Sequence, residues 1–410
     1  MITGQLCTVR PTPYGGRGVY AQAYIKAGTC IQQCPAPHAY VIARKFRKEV
    51  CAWCFKYAFE HGKNTWGWKY DAMAGDAAAH FQDKGSEKQG IRRPDHKAKG
   101  PKYAGVSFCS AECRSDWCFE MDSGGLYAAL GSTAEKLAVS DKERRTTDVS
   151  PSAVPSVMNE ADGLALLKTI QKHWLYSPVL LSTVHHHHEL FPVMGDTPIT
   201  VARQTLSNQE QLDIIWKQAE LLYTPSKGQS RDFLRLRGEQ LTEFELDTAQ
   251  FVISALVRRF SEENAVDSET VSDRSLPSGP EVMWSEMLEL QNNEMETALR
   301  KPEIIAAHLR VYGFVRRTVE ATLQTEAVGN RDWTKLRTYV ENSDFTRAVL
   351  GRDHGNVFGI WDMAIQGDSE MLGWGMYVRG SYFNHGGYQF SDRSTAIHII
   401  LFSSQIAFQT

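Results

Sequence analysis

Two textures of apolar spacing alternate along this chain. Near the start, QLCTVRPT, GRGVYA and GTCIQQCPAPHAYVIA set β-branched and aromatic residues among Gly and Pro, which predicts short strands and tight turns over 5–47. The period then changes. Ser207 and Glu210 form a capping-box pair, after which Leu212, Ile215, Trp216, Ala219, Leu222 and Tyr223 recur on one helical face until Pro225. The same spacing predicts helices over 244–260, 282–290 and 303–323, with aromatic and Met stripes that read as core faces. The end of the chain returns to strand texture in HGNVFGIWD (354–362), GWGMYVRGSYFNHGG (373–387) and AIHIILF (396–402). Polar stretches near 131–156 and 261–280 read as surface linkers. The order β, cysteine-bearing segment, helical block, β predicts an α+β protein, with one small β-rich domain split by large inserts.

Composition narrows the class. Of 410 residues, 42% are hydrophobic and 23% charged, enough for a sizeable core. No stretch approaches the ~18 uninterrupted apolar residues of a membrane span. A net charge of -3 argues against a globally basic nucleic-acid binder. The basic stretch 82–103, with Lys84, Lys88, Arg92, Arg93, Lys97, Lys99 and Lys102, reads as a solvated loop; a phosphate or acidic-partner patch is the sharper alternative. The start of the chain lacks the basic-then-apolar pattern of a secretory signal, so the expected compartment is nuclear, cytoplasmic or both. The run His185–His188 cannot turn four adjacent imidazoles onto one metal from ordered backbone, and reads as a polar loop.

Eight cysteines are too few for a disulfide-stapled scaffold, and in a reducing compartment short fixed spacings point to metal. Cys51 and Cys54 lie in CAWC, and Cys109 and Cys113 in FCSAEC, a knuckle leading into a short helix. Two such pairs match one tetrahedral, four-thiolate structural zinc with no open coordination position. The alternative is two unrelated pairs of buried thiols. Cys7, Cys30, Cys34 and Cys118 follow no pairing rule.

The ordered constellation of GRGVYA, cysteine knuckles, Asn-Val-Phe-Gly-Ile-Trp-Asp, Gly-Trp-Gly-Met-Tyr and Ser-Tyr-Phe-Asn-His resembles the SET and MYND domain-containing protein lysine methyltransferases. The resemblance covers roughly 5–385. It implies a SET domain in two parts, 1–50 and 351–385, split by a zinc-knuckle insert (51–118) and a mainly helical insert (119–350). It also implies S-adenosylmethionine as cofactor and methyl transfer to a lysine of a protein substrate, histone or non-histone. The zinc knuckle would then serve as a surface for protein partners. Gly16, Arg17 and Gly18 match the turn that wraps the cofactor, and Asn384 and His385 the Asn-His pair that holds it. Asn356 and Phe358 match the strand lining the lysine channel, and Gly375, Tyr377 and Ser381 the run before Asn-His, with Tyr377 facing the channel. Cys51, Cys54, Cys109 and Cys113 match the ligands of the first MYND zinc.

Two departures from the family shape the expectation. No second CxxC follows Cys54 before Cys109, and His61, His80, His96 and Cys118 lack the family spacing, so one zinc is expected rather than two. After His385 the resemblance stops. The tail 386–410 has no cysteine, and its one tyrosine, Tyr388, comes too early to be the family's active-site Tyr. The tail is expected to be an intron read-through or a frameshifted end. A chain ending this way is expected to bind cofactor weakly and methylate poorly, or to act as a catalytically silent adaptor.

Overall fold

The computed structural model describes residues 6–13, 16–26, 29–34, 36–70, 105–147, 208–223, 241–266, 283–325, 333–362, 369–383, 399–402 and 405–409. It is a mixed α+β structure of helices and several small antiparallel sheets. The first hairpin pairs β1 (Cys7–Pro11) with β2 (Arg17–Ala21). Strand β3 (Cys30–Cys34) leads to β4 (Ala39–Ile42), whose four apolar residues are all buried. A pair of two-residue strands, β5 (Trp68–Lys69) and β6 (Ser107–Phe108), follows.

Strands from opposite ends of the chain then share a sheet. β4 pairs with β8 (Met371–Met376), and β8 pairs on its other edge with β7 (Val357–Trp361). Gly373 is required at this seam, because a Cβ there would stand 2.2 Å from the Val41 carbonyl oxygen. Of the tail, β9 (Ile399–Phe402) and β10 (Gln405–Gln409) form an antiparallel pair, and β10 runs along β3.

The helices begin with α1 (Ala111–Met121), α2 (Leu126–Thr147), α3 (Asn208–Tyr223) and α4 (Glu243–Val266). Helix α4 is buried on every face from Ala249 to Val257, as befits a central helix, and it lies against β4. There Ser254 Oγ accepts a 3.2 Å hydrogen bond from the Tyr40 amide. Short helices α5 (Trp284–Leu288) and α6 (Glu294–Arg300) precede α7 (Pro302–Gln324), which starts on a proline that no first-turn hydrogen bond misses. Helices α8 (Leu336–Val340) and α9 (Asp344–Asn356) lead into β7.

Helix α7 packs on α2, α3 and α4. Its contact with α3 forms a second apolar cluster: Leu212, Trp216, Ala219, Tyr223, Ile305, Leu309 and Tyr312. These include most of the stripe anticipated from spacing. The described part of helix α3 runs to Tyr223, and Pro225 lies outside the described residues.

Both linker expectations need correction. Residues 131–147 are the body of α2. Their polar composition conceals Ala134, Leu137 and Ala138 at helical spacing, and these pack into the main core. Asp141, buried, takes a two-pronged salt bridge from Arg317 at 2.8 and 3.3 Å. Residues 261–266 likewise continue α4, where Arg259 pairs with Glu263 one turn on and buried Glu262 accepts from the Trp284 amide at 2.8 Å. The remaining residues of both stretches lie outside the described ones, as do the basic stretch 82–103 and His185–His188.

Gly313 on α7 faces Tyr223, and a Cβ there would fall 2.2 Å from the tyrosine ring. Gly313→Ala should therefore prise α3 from α7 and cost about 1–3 kcal/mol despite alanine's better helix propensity. Urea denaturation of the variant beside the parent checks this.

His308, also on α7, is pushed down to about 3 by burial, with His354 nearby adding to the effect. The folded chain keeps it neutral, whereas the unfolded chain protonates it below its ordinary 6.5. Its contribution is thus full above pH 6.5 and lost as pH falls toward 3. Melting curves across that window should show a shallower pH dependence for His308→Leu than for the parent.

Candidate metal centre

The first cysteine pair sits on a tight turn directly after β4 and its following 3-10 turn. Cys51 makes a single parallel bridge to Ser107, and Val50 an antiparallel one to Tyr57. The Cys51 amide donates to Lys56 at 3.0 Å and the Phe55 amide to Cys51 at 3.0 Å. Phe55 closes this turn at φ 58°, the only positive φ of a non-glycine among the described residues. The second pair straddles the start of α1. Ser110 is its N-cap, and its hydroxyl accepts from the Cys113 amide at 3.2 Å. Cys113 therefore lies in the first helical turn, where the helix dipole favours a thiolate.

The four sulfurs of Cys51, Cys54, Cys109 and Cys113 lie within 4.8 Å of one another. Cys109 Sγ is 3.5 Å from both Cys54 Sγ and Cys113 Sγ. A tetrahedral ion with sulfur at ~2.3 Å has ligand–ligand edges of about 3.8 Å, so the donor set fits one ion such as zinc. Cys51 is fully buried and the other three are half-buried. Hydrogen bonding from Cys51 is the main cause that pulls the Cys109 thiol down to about 5; it also lowers Cys113 while Cys51 itself is raised.

The cluster is built into the main core. Phe108 and Trp117 pack beside it, and the Trp117 indole N–H donates to the Tyr40 hydroxyl on β4 at 2.5 Å. Among the described residues no further group of three or more metal-type side chains comes together. Cys118 stands apart as a half-buried thiol, pushed up to about 11 by burial and then by Asp122. His61 packs on the Trp66 ring at 5.7 Å. His80 and His96 lie outside the described residues.

The other anticipated site residues gather elsewhere. Gly16 adopts φ 71° and faces the Gln291 carboxamide, whose oxygen would be 3.0 Å from a Cβ. Arg17 donates to the Glu289 carboxylate at 3.0 Å, to its carbonyl at 2.8 Å and to the Tyr382 hydroxyl at 3.1 Å. Gly18 pairs with Arg10 in the first hairpin. Asn356, buried at the end of α9, donates to the carbonyls of Gln291 and Arg352 at 3.0 and 2.8 Å. Its own carbonyl accepts from the Ser381 hydroxyl at 2.9 Å. Phe358 meets Tyr377 edge-on at 6.0 Å, in an apolar cluster with Cys7, Ile31 and Cys34. Gly375 pairs with both Tyr40 and Phe358. Asn384 and His385 lie outside the described residues.

Sequence reasoning missed Glu289 and Gln291, which complete the surroundings of the Gly16–Arg17 turn. Nothing local marks them, since they lie 272 positions from Arg17 or farther. A scan of protein-family models finds none that matches this chain, and no curated protein matches it.

Purified chain should carry one zinc ion per molecule by elemental analysis. Chelation, or Cys51→Ser, should remove the ion and lower the melting temperature by about 5 °C or more. Cys118→Ser should leave the zinc content unchanged.

Proposed function

We propose that this chain is, by descent, a protein lysine N-methyltransferase of the SET and MYND type, with a structural zinc and S-adenosylmethionine as methyl donor. The observation that carries this reading is the convergence of the chain's two ends. β4 and β8 share a sheet, and Arg17 reaches Tyr382, 365 positions away, within a hydrogen bond. In this reading 1–50 and 351–385 form one SET domain, and the knuckle and the helices are inserts within it.

The donor set beside the Gly16 turn fits a cofactor with amino-acid and nucleoside ends. It comprises a glycine at positive φ that permits close backbone approach, a carboxamide, a phenol and a guanidinium. Gly16, Arg17, Gly18, Asn384 and His385 would hold the cofactor, which supplies an already activated methyl group. The chain's remaining work is to bind, orient and shield. The apolar cluster around Phe358 and Tyr377 offers the desolvated surface that keeps a lysine amine neutral. Asn356 and Ser381, tied to each other and to Gln291, fix the start of β7 against the turn after β8. The substrate in this reading is a lysine of a protein, met in nucleus or cytoplasm, and the knuckle offers a surface to further proteins.

A second reading, a catalytically silent adaptor, is favoured by one observation. The Arg17 guanidinium is already shared between Glu289 and Tyr382. The methyltransferase reading therefore carries an expectation of slow turnover.

Isothermal titration of the zinc-loaded chain with S-adenosylhomocysteine separates the two readings. Saturable binding that Asn384→Ala or His385→Ala abolishes is expected for the methyltransferase. Absence of binding would favour the adaptor and sink the first reading.

A further inference from the structure

The four sulfurs of the metal centre are not equivalent. Cys51 is fully buried, whereas Cys54, Cys109 and Cys113 are half-buried and within reach of a small solute. Cys109 is the pivot of the set, with Cys54 Sγ and Cys113 Sγ each 3.5 Å from its own sulfur. A disulfide needs its sulfurs at ~2.05 Å, so either bond requires one partner to move by about 1.5 Å. Cys113 is poorly placed to do so. It stands in the first turn of α1, and its amide is held by the Ser110 cap at 3.2 Å. Cys54 stands on the turn that Phe55 closes, outside any helix or strand. Movement is cheaper there, because no helical hydrogen-bond ladder has to break.

We propose that this centre is a peroxide-sensitive modification site, at which oxidation joins Cys54 to Cys109 and releases the ion. The proposal rests on the reading of the four cysteines as a structural zinc site. It needs hydrogen peroxide as oxidant and no methyl-transfer chemistry. One thiolate attacks the O–O bond, keeps one oxygen as a sulfenic acid and expels the other as hydroxide. The neighbouring thiolate attacks that sulfur, forms the S–S bond and expels a second hydroxide. Each sulfur gives up one electron, the peroxide accepts both, and two protons from solvent turn the hydroxides into water. Only Cys51 and Cys113 then remain as ligands, too few for a closed tetrahedral site. A dithiol reductant reverses the step by thiol–disulfide exchange, taking up the disulfide in its place.

The new bond spans 55 positions and ties together the two segments that the ion held, the turn after β4 and the start of α1. The Trp117 to Tyr40 hydrogen bond already ties α1 to β4 and does not involve any of these sulfurs. The oxidised chain therefore exchanges a metal clip for a covalent one, and keeps the core that Cys51 belongs to.

The test treats the full zinc-loaded chain with excess hydrogen peroxide. It follows free zinc with a chromogenic chelator and maps cysteine pairs by mass spectrometry after alkylation of the remaining thiols. Release of one equivalent of zinc is expected, together with a Cys54–Cys109 bond. Dithiothreitol with added zinc should restore the starting metal content. The oxidised chain should melt above the reduced, chelated chain, and Cys118→Ser should change none of these results. The proposal is overturned if the zinc stays bound, or if the mapped bond joins Cys109 to Cys113 or includes Cys51 or Cys118. Sulfinic or sulfonic acids in place of a disulfide, or an oxidised chain that melts no higher than the chelated one, overturn it equally. A chain purified without zinc would instead sink the zinc reading and with it the release, and the mapped pair would still decide whether Cys54 and Cys109 join.

Discussion

The pairing of β4 with β8 is the constraint on which the rest of this structure depends. It brings a strand near the start of the chain against one near its end, and the seam is close enough to need glycine at 373. Closing so long a loop costs conformational entropy that grows only with the logarithm of its length, so a compact buried seam can offset it. The offset comes from burial. All four β4 residues are buried, α4 covers the strand, and Trp374 of β8 is packed by Phe244 and Phe251 of α4. Without that helix the sheet would be three short strands with an uncovered apolar face, too small to stand alone.

The metal centre hangs from the same seam. Cys51 follows β4 by nine residues and is itself part of the main core. The Trp117 to Tyr40 hydrogen bond ties the helix that presents Cys113 back to β4. An ion held by the four cysteines and the sheet would therefore stabilise each other, because the ordering of the cysteine turn and the covering of β4 share the same side chains. The Gly16–Arg17 turn is joined differently. Its links run to Glu289, Gln291 and Tyr382, so α5 and the residues just after it set its place. Helix α5 is in turn gripped by arginines from several directions, with Arg352 donating to the Leu288 carbonyl and Arg379 to Glu286.

Much of this was legible in sequence wherever the signal is local. Helical spacing located α3, α4 and α7. Two short cysteine spacings named all four members of the sulfur cluster. The errors share a cause. α2 was mistaken for a linker because half its circumference is polar, and only the position of α7 and the main core reveals which half is buried. The α4 extension to Val266 was hidden in the same way, since Glu262 and Glu263 look like solvent-facing acids until Trp284 and Arg259 meet them. Glu289 and Gln291 carry no local mark at all, because their role exists only once segments hundreds of residues apart have closed on one another.

That long-range closure also governs the order of events during synthesis. β4 leaves the ribosome early, but its partner β8 begins more than three hundred positions later. At ~5–20 residues per second, a strand of Ala, Tyr, Val and Ile waits tens of seconds with an open edge. Its cover, α4, arrives in the interval and can shield one face, but nothing before β8 can satisfy the edge hydrogen bonds that β8 later makes. During that interval the nascent chain carries an apolar strand whose edge is open to pairing with any neighbouring edge until the far end of the chain appears.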